Sequence, residues 1–482
     1  MTVRELLGDG PEVEVTSLAY DNRAVVPGTL FFCVPGFTRD GHDFAPDAVA
    51  RGAAALVVQR PLGLGVPELQ VDDVRAAMAR AAARFNGDPT AELAVVGITG
   101  TSGKTTTTHL VRHLLASAGR RCGLLGGVTA VVGGEERAAV RTTPEAIDLQ
   151  ATFREMLDAG DEACAMEVSS HALELRRVDG TRFAAAAFTN LSQDHLDFHP
   201  DMETYFAAKL RLFEEFDLGR SIVVVDDEWG RRLAARLERA VTVSLERDAD
   251  WRAVDHRSGL DGNELTVRSP AGEAAVSLPL RGRFNAANAL VALAAGDALG
   301  LELGPMAKAL RSVPAVSGRV EAVEEGQPFA VLVDYSHKPG ALETVLASAR
   351  ELASGRVLVV FGAGGDRDRA KRPLMGEIGA RLADLAIVTS DNPRSESPDA
   401  IIDEIFGGVP AGAFHVKRET DRRTAIAQAI ELAEPGDVVV IAGKGHEQGQ
   451  EFAGGRKEPF DDVAVARAAL REAARPAERG PA

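Results

Sequence analysis

The stretch "GITGTSGKTTTTHL", residues 97–110, has the form of a phosphate-binding loop with one glycine out of place. The common form asks for a glycine, four residues, then Gly-Lys-Ser/Thr. Counting back from Gly103 and Lys104 puts Ile98 where that first glycine belongs. Everything around the loop agrees with the assignment. The apolar run "LAVVGITG" (93–100) predicts a strand and "HLVRHLLASAG" (109–119) a helix. Between them, successive backbone N–H groups and a helix N-terminus would surround phosphate oxygens. Lys104 would add a point charge and Thr105 a hydroxyl for Mg²⁺, so the ligand class is a nucleoside triphosphate.

At 482 residues the chain exceeds what one hydrophobic core supports, and three domains are expected. A formal charge of -17 argues against a nucleic-acid partner, because a phosphate backbone needs clustered Lys and Arg. Cys33, Cys122 and Cys164 are isolated from one another, which supports neither a disulfide framework nor a cysteine metal site. The N-terminus "MTVRELLGDGPEVEV" carries acidic residues where a signal peptide needs an apolar run. No apolar stretch approaches the ~18 residues of a membrane span. The chain therefore reads as soluble and cytoplasmic, without a membrane partner.

Residues 1–88 form a small α/β unit, with runs "GTLFFCVPG" and "GAAALVV" and a helical "DDVRAAMARAAARF" that "NGDPT" (86–90) breaks. Residues 89–315 alternate β-like runs with helical patterns, the rhythm of a mostly parallel sheet with helices on its faces. The rhythm restarts in residues 316–482 with "FAVLVDYSH", "RVLVVFGAGGDRD", "LAIVTSDNPR" and "DVVVIAGKGHE". The Ala/Arg-rich tail "REAARPAERGPA" reads as frayed surface. In the second and third units nearly every predicted strand runs directly into a polar or glycine-rich cluster, and ligands of open α/β sheets bind outside the carboxyl ends of strands.

Two such clusters hold metal-ligand chemistry: "AMEVSSH" with Glu167, and "FTNLSQDHLDFH" with Asn190, Asp194, His195 and Asp197. In the predicted helix 201–216, Tyr205, Lys209, Leu212 and Phe216 fall on one face, so a lysine interrupts an apolar stripe. Periodicity alone favours a snorkelling Lys209, with its stem packed and its ammonium in water. The alternative is a lysine held inside a cleft. In the third unit, Arg394 is suited to a carboxylate, and Asp391 and Glu447 to an ammonium, a pairing that fits a zwitterionic amino acid. Gly362, Gly364 and Gly365 lack the spacing of a dinucleotide fingerprint.

Across nearly its whole length the sequence resembles the Mur ligases, ATP-dependent amide-forming enzymes of peptidoglycan precursor synthesis. Their nucleotide loop reads G-T-x-G-K-T, so the shifted glycine is a family trait. The resemblance implies that Gly100, Thr101, Ser102, Gly103, Lys104, Thr105, Thr106 and Asn190 surround ATP. It also implies that Asn285 contacts the adenine, and that Arg319, Asp334 and His337 face ATP from the third domain, which is Rossmann-like. Mg²⁺ is implied at Thr105, Glu167, His195 and Lys209, the last as a carbamate.

The segment "DNRAVVPGTLFFCVPGFTRDGHDF" (21–44) is similar to the uridine-binding domain of the branch that adds the third stem-peptide residue. This similarity implies Asn22 and His42 near a UDP moiety, and Thr142, Thr143, Ser169 and Arg177 around a muramoyl dipeptide. By the same route, Arg367, Asp391, Asn392, Pro393, Arg394, Gly443 and Glu447 would hold the incoming amino acid. "DNPR" marks the meso-diaminopimelate rather than the L-lysine enzymes. The expected substrates are UDP-N-acetylmuramoyl-L-alanyl-D-glutamate and meso-diaminopimelate, handled by a monomer. "DYSHKPGAL" departs from the commoner "DYAHTPDAL" at Ser336, Lys338 and Gly340.

Overall fold

In the computed structural model, which describes residues 1–474, three large sheets follow one another along the chain, and a two-stranded ribbon, Gly449–Glu451 with Lys457–Pro459, comes after the third. The first is four-stranded and parallel, with the apolar strands Thr29–Phe32 and Ala53–Val58 in its middle. Helix Val74–Phe85 starts where the Asp73 side chain accepts the Ala76 N–H. Its alanines pack closely on Leu30, Phe32 and Val57, which suits a small domain with little apolar surface to spare.

The second sheet has eleven strands. At its centre Ala94–Thr99 lies between Ala163–Glu167 and Ala185–Phe188, all parallel. Both neighbours come later in the chain, so the connections diverge to either side of the central strand. A ligand crevice opens at that switch point. Strand Ala94–Thr99 is buried almost throughout, as expected for a run covered by helices on both faces. Helix Lys104–Ser117 packs against helix Arg283–Ala298 on one face, and helix Met202–Glu214 lies in the core of the other.

The alternating pattern does not foresee what extends this sheet. Strands Trp251–Gly259, Gly262–Ser269 and Gly272–Leu278 form an antiparallel meander at one edge. Their outer residues are polar and exposed, so no long apolar run announces them. Trp251, Leu265, Val267, Val276 and Leu278 anchor the meander to the core.

The four apolar runs of the third unit become Ala330–Asp334, Val357–Phe361, Leu385–Val388 and Val438–Ala442, the parallel centre of a six-stranded sheet. The antiparallel edge strand is Glu321–Ala322. Of the tail expected to fray, residues 471–473 belong to helix Asp462–Ala473, and residues 475–482 lie outside the described residues.

Arg422 and Asp462 are wholly buried and joined by hydrogen bonds of 2.8 and 2.7 Å. Arg422→Ala would strand a carboxylate in the core. It should cost about 3–5 kcal/mol of stability, read as a lower urea midpoint. The double variant Arg422→Ala/Asp462→Ala should lose less than the sum of the two single losses.

Candidate functional site

The carboxyl ends of three adjacent strands build the first cleft. Residue 98, where the common motif has its glycine, still belongs to the strand and is fully buried, so the turn begins later, at Gly100. Gly100 has φ 145°, and a Cβ there would lie 2.0 Å from Thr189 Oγ1. Gly103, at φ 87°, abuts Asn288 Oδ1 in the same way. The turn is braced from outside: Asn190 Oδ1 accepts the Ser102 N–H at 3.0 Å, and Asn190 Nδ2 donates to Ser102 O at 3.1 Å. Asn190 O also accepts the Thr101 N–H. Thr106, in the first turn of the following helix, is buried.

Lys104 Nζ curls back over the turn, donating to Gly100 O at 3.0 Å and Thr101 O at 2.9 Å. Burial pushes its ammonium down to about 8, against the pull of Glu167. Lys209 Nζ reaches the same Gly100 carbonyl at 2.9 Å from helix Met202–Glu214 and sits 4.7 Å from the Tyr205 ring. Its residue is 1% exposed, which overturns the snorkelling reading. Burial first, then repulsion from Lys104, holds this amine well below the usual lysine range. Phe216 falls outside the helix and is only half-buried, so the stripe is shorter than its periodicity predicted.

Thr105 Oγ1 donates to Glu167 Oε1 at 2.9 Å, and the Gly127 N–H donates to the same oxygen. From the third domain, Arg319 Nη2 donates to Thr105 Oγ1 at 3.1 Å and its guanidinium lies over the Tyr335 ring. His195, at φ 53°, turns its Nε2 to Asp194 Oδ2 at 3.1 Å. Burial and the nearby Lys338 push its imidazole down to about 3. Among the described residues no three His, Cys, Asp or Glu side chains group to hold a metal. A hydroxyl and a carboxylate side by side do fit Mg²⁺, which takes few protein oxygens and completes its shell with phosphate and water.

Asp334 is buried, accepts from Val320 N–H and Ser336 Oγ, and has its carboxyl raised by that burial. His337 Nδ1 lies 2.7 Å from Tyr335 O. Burial and then the charges of Lys338 and Lys371 keep its ring well below the usual histidine range. Both polar ends of Asn285 are engaged, Nδ2 with Arg281 O and Oδ1 with Asn288 Nδ2.

A second cluster sits beside the first. Thr143 Oγ1 donates to Glu167 O and accepts the Ser169 N–H, and Arg177 donates to Thr143 O. Thr142 Oγ1 lies close to Gly127. Glu145 takes Arg177 at 2.8 Å and Arg75 of the first domain at 3.3 Å, tying the two units together. Within the first domain, Asn22 donates to Asp47. His42 uses both ring nitrogens internally, Nδ1 with Asp40 and Nε2 accepting the Gln59 N–H.

The third cluster closes the carboxyl edge of the last sheet. Arg394, at φ 50°, donates from Nε to Glu451 Oε2 at 3.0 Å and from Nη1 to Gly365 O at 2.7 Å. Pro393 O sits directly against Gly365, while Arg367 is exposed and passes near Gly364. Asp391 is buried with Oδ1 lacking a hydrogen bond, and its Oδ2 faces Gly443. Sequence reading missed Lys444, whose buried ammonium donates to Asn392 Oδ1 and Glu447 Oε2 at 2.9 and 3.0 Å. It also missed Glu451, Lys371 and Arg422. Their partners lie far away in the chain, and the only local signal was Lys444 between two glycines at a strand end.

Three stretches of the chain match known families: residues 14–86 the Mur ligase family catalytic domain, 98–296 the Mur ligase middle domain, and 318–445 the Mur ligase glutamate ligase domain. The chain is 47% identical to the UDP-N-acetylmuramoyl-L-alanyl-D-glutamate–2,6-diaminopimelate ligase of Gloeobacter violaceus, over 95% of this chain and 94% of that one. It is 48% identical to the protein of the same name from Streptomyces coelicolor, over 95% and 93%. A solved structure of a ligase with that name superposes with a TM-score of 0.72 at 32% identity, over 98% of this chain and 99% of the other.

Gly100→Ala should drive a methyl into Thr189 and displace the turn. Binding of a non-hydrolysable triphosphate, followed by calorimetry, should fall below detection while the thermal transition of the chain persists.

Proposed function

Because the chain belongs to the Mur ligase family, we propose that it adds meso-diaminopimelate to UDP-N-acetylmuramoyl-L-alanyl-D-glutamate, as a cytoplasmic monomer. The observation that carries the choice of amino acid is the Arg394 guanidinium, held by Glu451 and Gly365 O in the loop after strand Leu385–Val388, the loop that also carries the buried carboxylate of Asp391. Diaminopimelate has a second carboxylate at its far end for that guanidinium, and L-lysine has none. In this reading residues 1–88 bind the UDP moiety, with Asn22 at the ligand and His42 ordering the adjoining loop. Residues 89–315 bind ATP and the dipeptide, and residues 316–482 bind the amino acid. No helix among the described residues is long and apolar enough to cross a membrane.

The terminal D-glutamate carboxylate attacks the γ-phosphorus, the bond to the β-phosphate oxygen breaks, and acyl phosphate and ADP result. The diaminopimelate amine then attacks the acyl carbon, phosphate leaves, and the amine proton passes to a base. Activation is needed because a carboxylate is a poor electrophile at neutral pH. Lys104 and the backbone N–H groups of Gly103, Lys104 and Thr105, the part of the turn that Asn190 does not engage, hold the phosphates, and Arg319 adds charge from the third domain. Thr143, Ser169 and Arg177 orient the dipeptide, and Asn285 lies at the adenine end. Thr105 and Glu167 would hold Mg²⁺, which when bound would supply charge neutralisation. Lys209, already held toward the neutral amine, is suited to take up CO₂ as a carbamate and so exchange a cation for an anion beside Lys104.

Mass detection of a UDP-muramoyl tripeptide with diaminopimelate, and not with L-lysine, tests this reading directly. Lys104→Ala should lower turnover by about 10²-fold or more, the scale of a lost electrostatic contact to the transferring phosphate. Lys209→Ala should be nearly inactive and partly rescued by short-chain carboxylates. A rate insensitive to both the change and the added acid would refute the carbamate. Arg394→Lys should cut kcat/KM for diaminopimelate by an amount equivalent to roughly 2–5 kcal/mol while leaving the KM for ATP unchanged, because an ammonium cannot replace a bidentate fork.

A further inference from the structure

Two of the three positions at which "DYSHKPGAL" departs from the family pattern meet at one interdomain contact. Lys338 Nζ pairs with Asp194 Oδ2 across the cleft between the second and third domains. Two residues on, a Cβ at Gly340 would lie 3.3 Å from Ser192 Oγ, so the absence of a side chain lets helix Pro339–Leu352 come close to the same loop. That loop is not an idle surface. Ser192 N–H donates to Thr101 Oγ1 at 3.0 Å, and Thr101 Oγ1 donates to Ser192 O at 3.2 Å. Asn190 grips Ser102 through both ends of its amide. The third domain is thereby connected, through residues 190–194, to the phosphate-binding turn itself.

The pair is mostly screened from water, with side chains 21% and 8% exposed, unlike the rim pair Arg281–Glu324, whose glutamate is 72% exposed. Asp194 Oδ2, which takes Lys338, lies 3.1 Å from His195 Nε2, and Oδ1 accepts the His195 backbone N–H. The carboxylate is therefore fixed before the lysine arrives. The Lys338 charge also reaches into the cleft, where it is one of the influences that push Lys104 and Lys209 toward neutrality.

We propose that Lys338 is a positioning residue: by pairing with Asp194 it registers the third domain on the phosphate-binding turn and so sets Arg319 over Thr105. The Arg319–Thr105 contact is the direct reach of the third domain onto the turn's helix, and the Lys338 pair is the second tether that stops the domain pivoting about it. Residues with a short uncharged side chain at position 338 cannot span to Asp194, so this register is a property of chains that carry lysine there. The inference rests on the ATP-site reading and not on which amino acid is ligated.

The test is calorimetric binding of AMP-PNP alone, which needs no acceptor substrate, to the full-length protein. Lys338→Met should weaken binding about tenfold, the scale of one partly buried pair, and Lys338→Arg should recover most of it. In a cycle with Asp194→Asn, the double variant should bind no worse than Lys338→Met, since both changes break one contact. Glu324→Gln, which breaks the exposed interdomain pair, should leave AMP-PNP affinity at the wild-type value. Melting curves taken in parallel establish that each variant is folded. Unchanged affinity in a folded Lys338→Met, additive losses in the cycle, or an equal loss in Glu324→Gln would overturn the proposal. If no variant and no wild-type protein bound AMP-PNP, the ATP-site reading itself would fall, an outcome distinct from all of these.

Discussion

Two ammonium groups, that of half-buried Lys104 and that of buried Lys209, converge on the single carbonyl oxygen of Gly100. Two unit charges a few ångströms apart repel by several kcal/mol even at an effective dielectric of about 20, and desolvation adds to the cost. The protein limits that cost by holding both amines below their usual range. Repulsion of this kind disappears when anions arrive. Triphosphate in the cleft is one remedy, and conversion of Lys209 to a carbamate, on the reading proposed above, is the other. The cleft thus stores a mismatch that its ligands relieve, so the free energy recovered there contributes to binding phosphate rather than to the stability of the empty protein.

For the two lysines to share one oxygen, that oxygen must be turned inward, and the turn must not spring open when they repel. Gly100 makes the first possible with a backbone angle that a side chain would oppose and with no Cβ to strike Thr189. Asn190, Ser192 and Thr189 make the second possible by hydrogen bonding the turn from the next strand end. Arg319 and Lys338 reach the same network from the third domain. Closure therefore adds positive charge where charge is already crowded, which is tolerable only because Asp194 and Glu167 lie among the cations.

The sequence carried the central elements plainly, because long apolar runs ending in glycine or polar clusters can hardly be anything but buried parallel strands meeting a cleft. Lys209 was visible as an anomaly, a cation in an apolar stripe, yet periodicity could not say whether its amine reached water. Three-dimensional burial decided that. The antiparallel meander was hidden because half of each strand faces solvent and reads as polar. The partners of the amino-acid cluster were hidden for another reason: Lys444 meets Asn392 and Arg394 meets Glu451 across more than fifty residues of chain, and no local pattern encodes such a pairing. His42 was legible as a notable residue. Its role was not, since both nitrogens turn out to be spent on the fold of its own domain.

The pairing of Arg394 with Glu451 bears on how the amino-acid cluster can discriminate. A guanidinium has five N–H donors, and here Nε–H goes to Glu451 and one Nη1–H to Gly365 O. The remaining donors suffice for a bidentate carboxylate without displacing either protein partner. Glu451 and Gly365 O fix the plane of the fork, and neither takes a proton of Nη2. An amino acid lacking a distal carboxylate would enclose those donors without satisfying them, and an unpaired charged donor out of water costs more than a neutral one. On the function proposed above, discrimination then comes less from what the correct substrate gains than from what the wrong one leaves unpaired, and it becomes stronger the more completely the cleft excludes water.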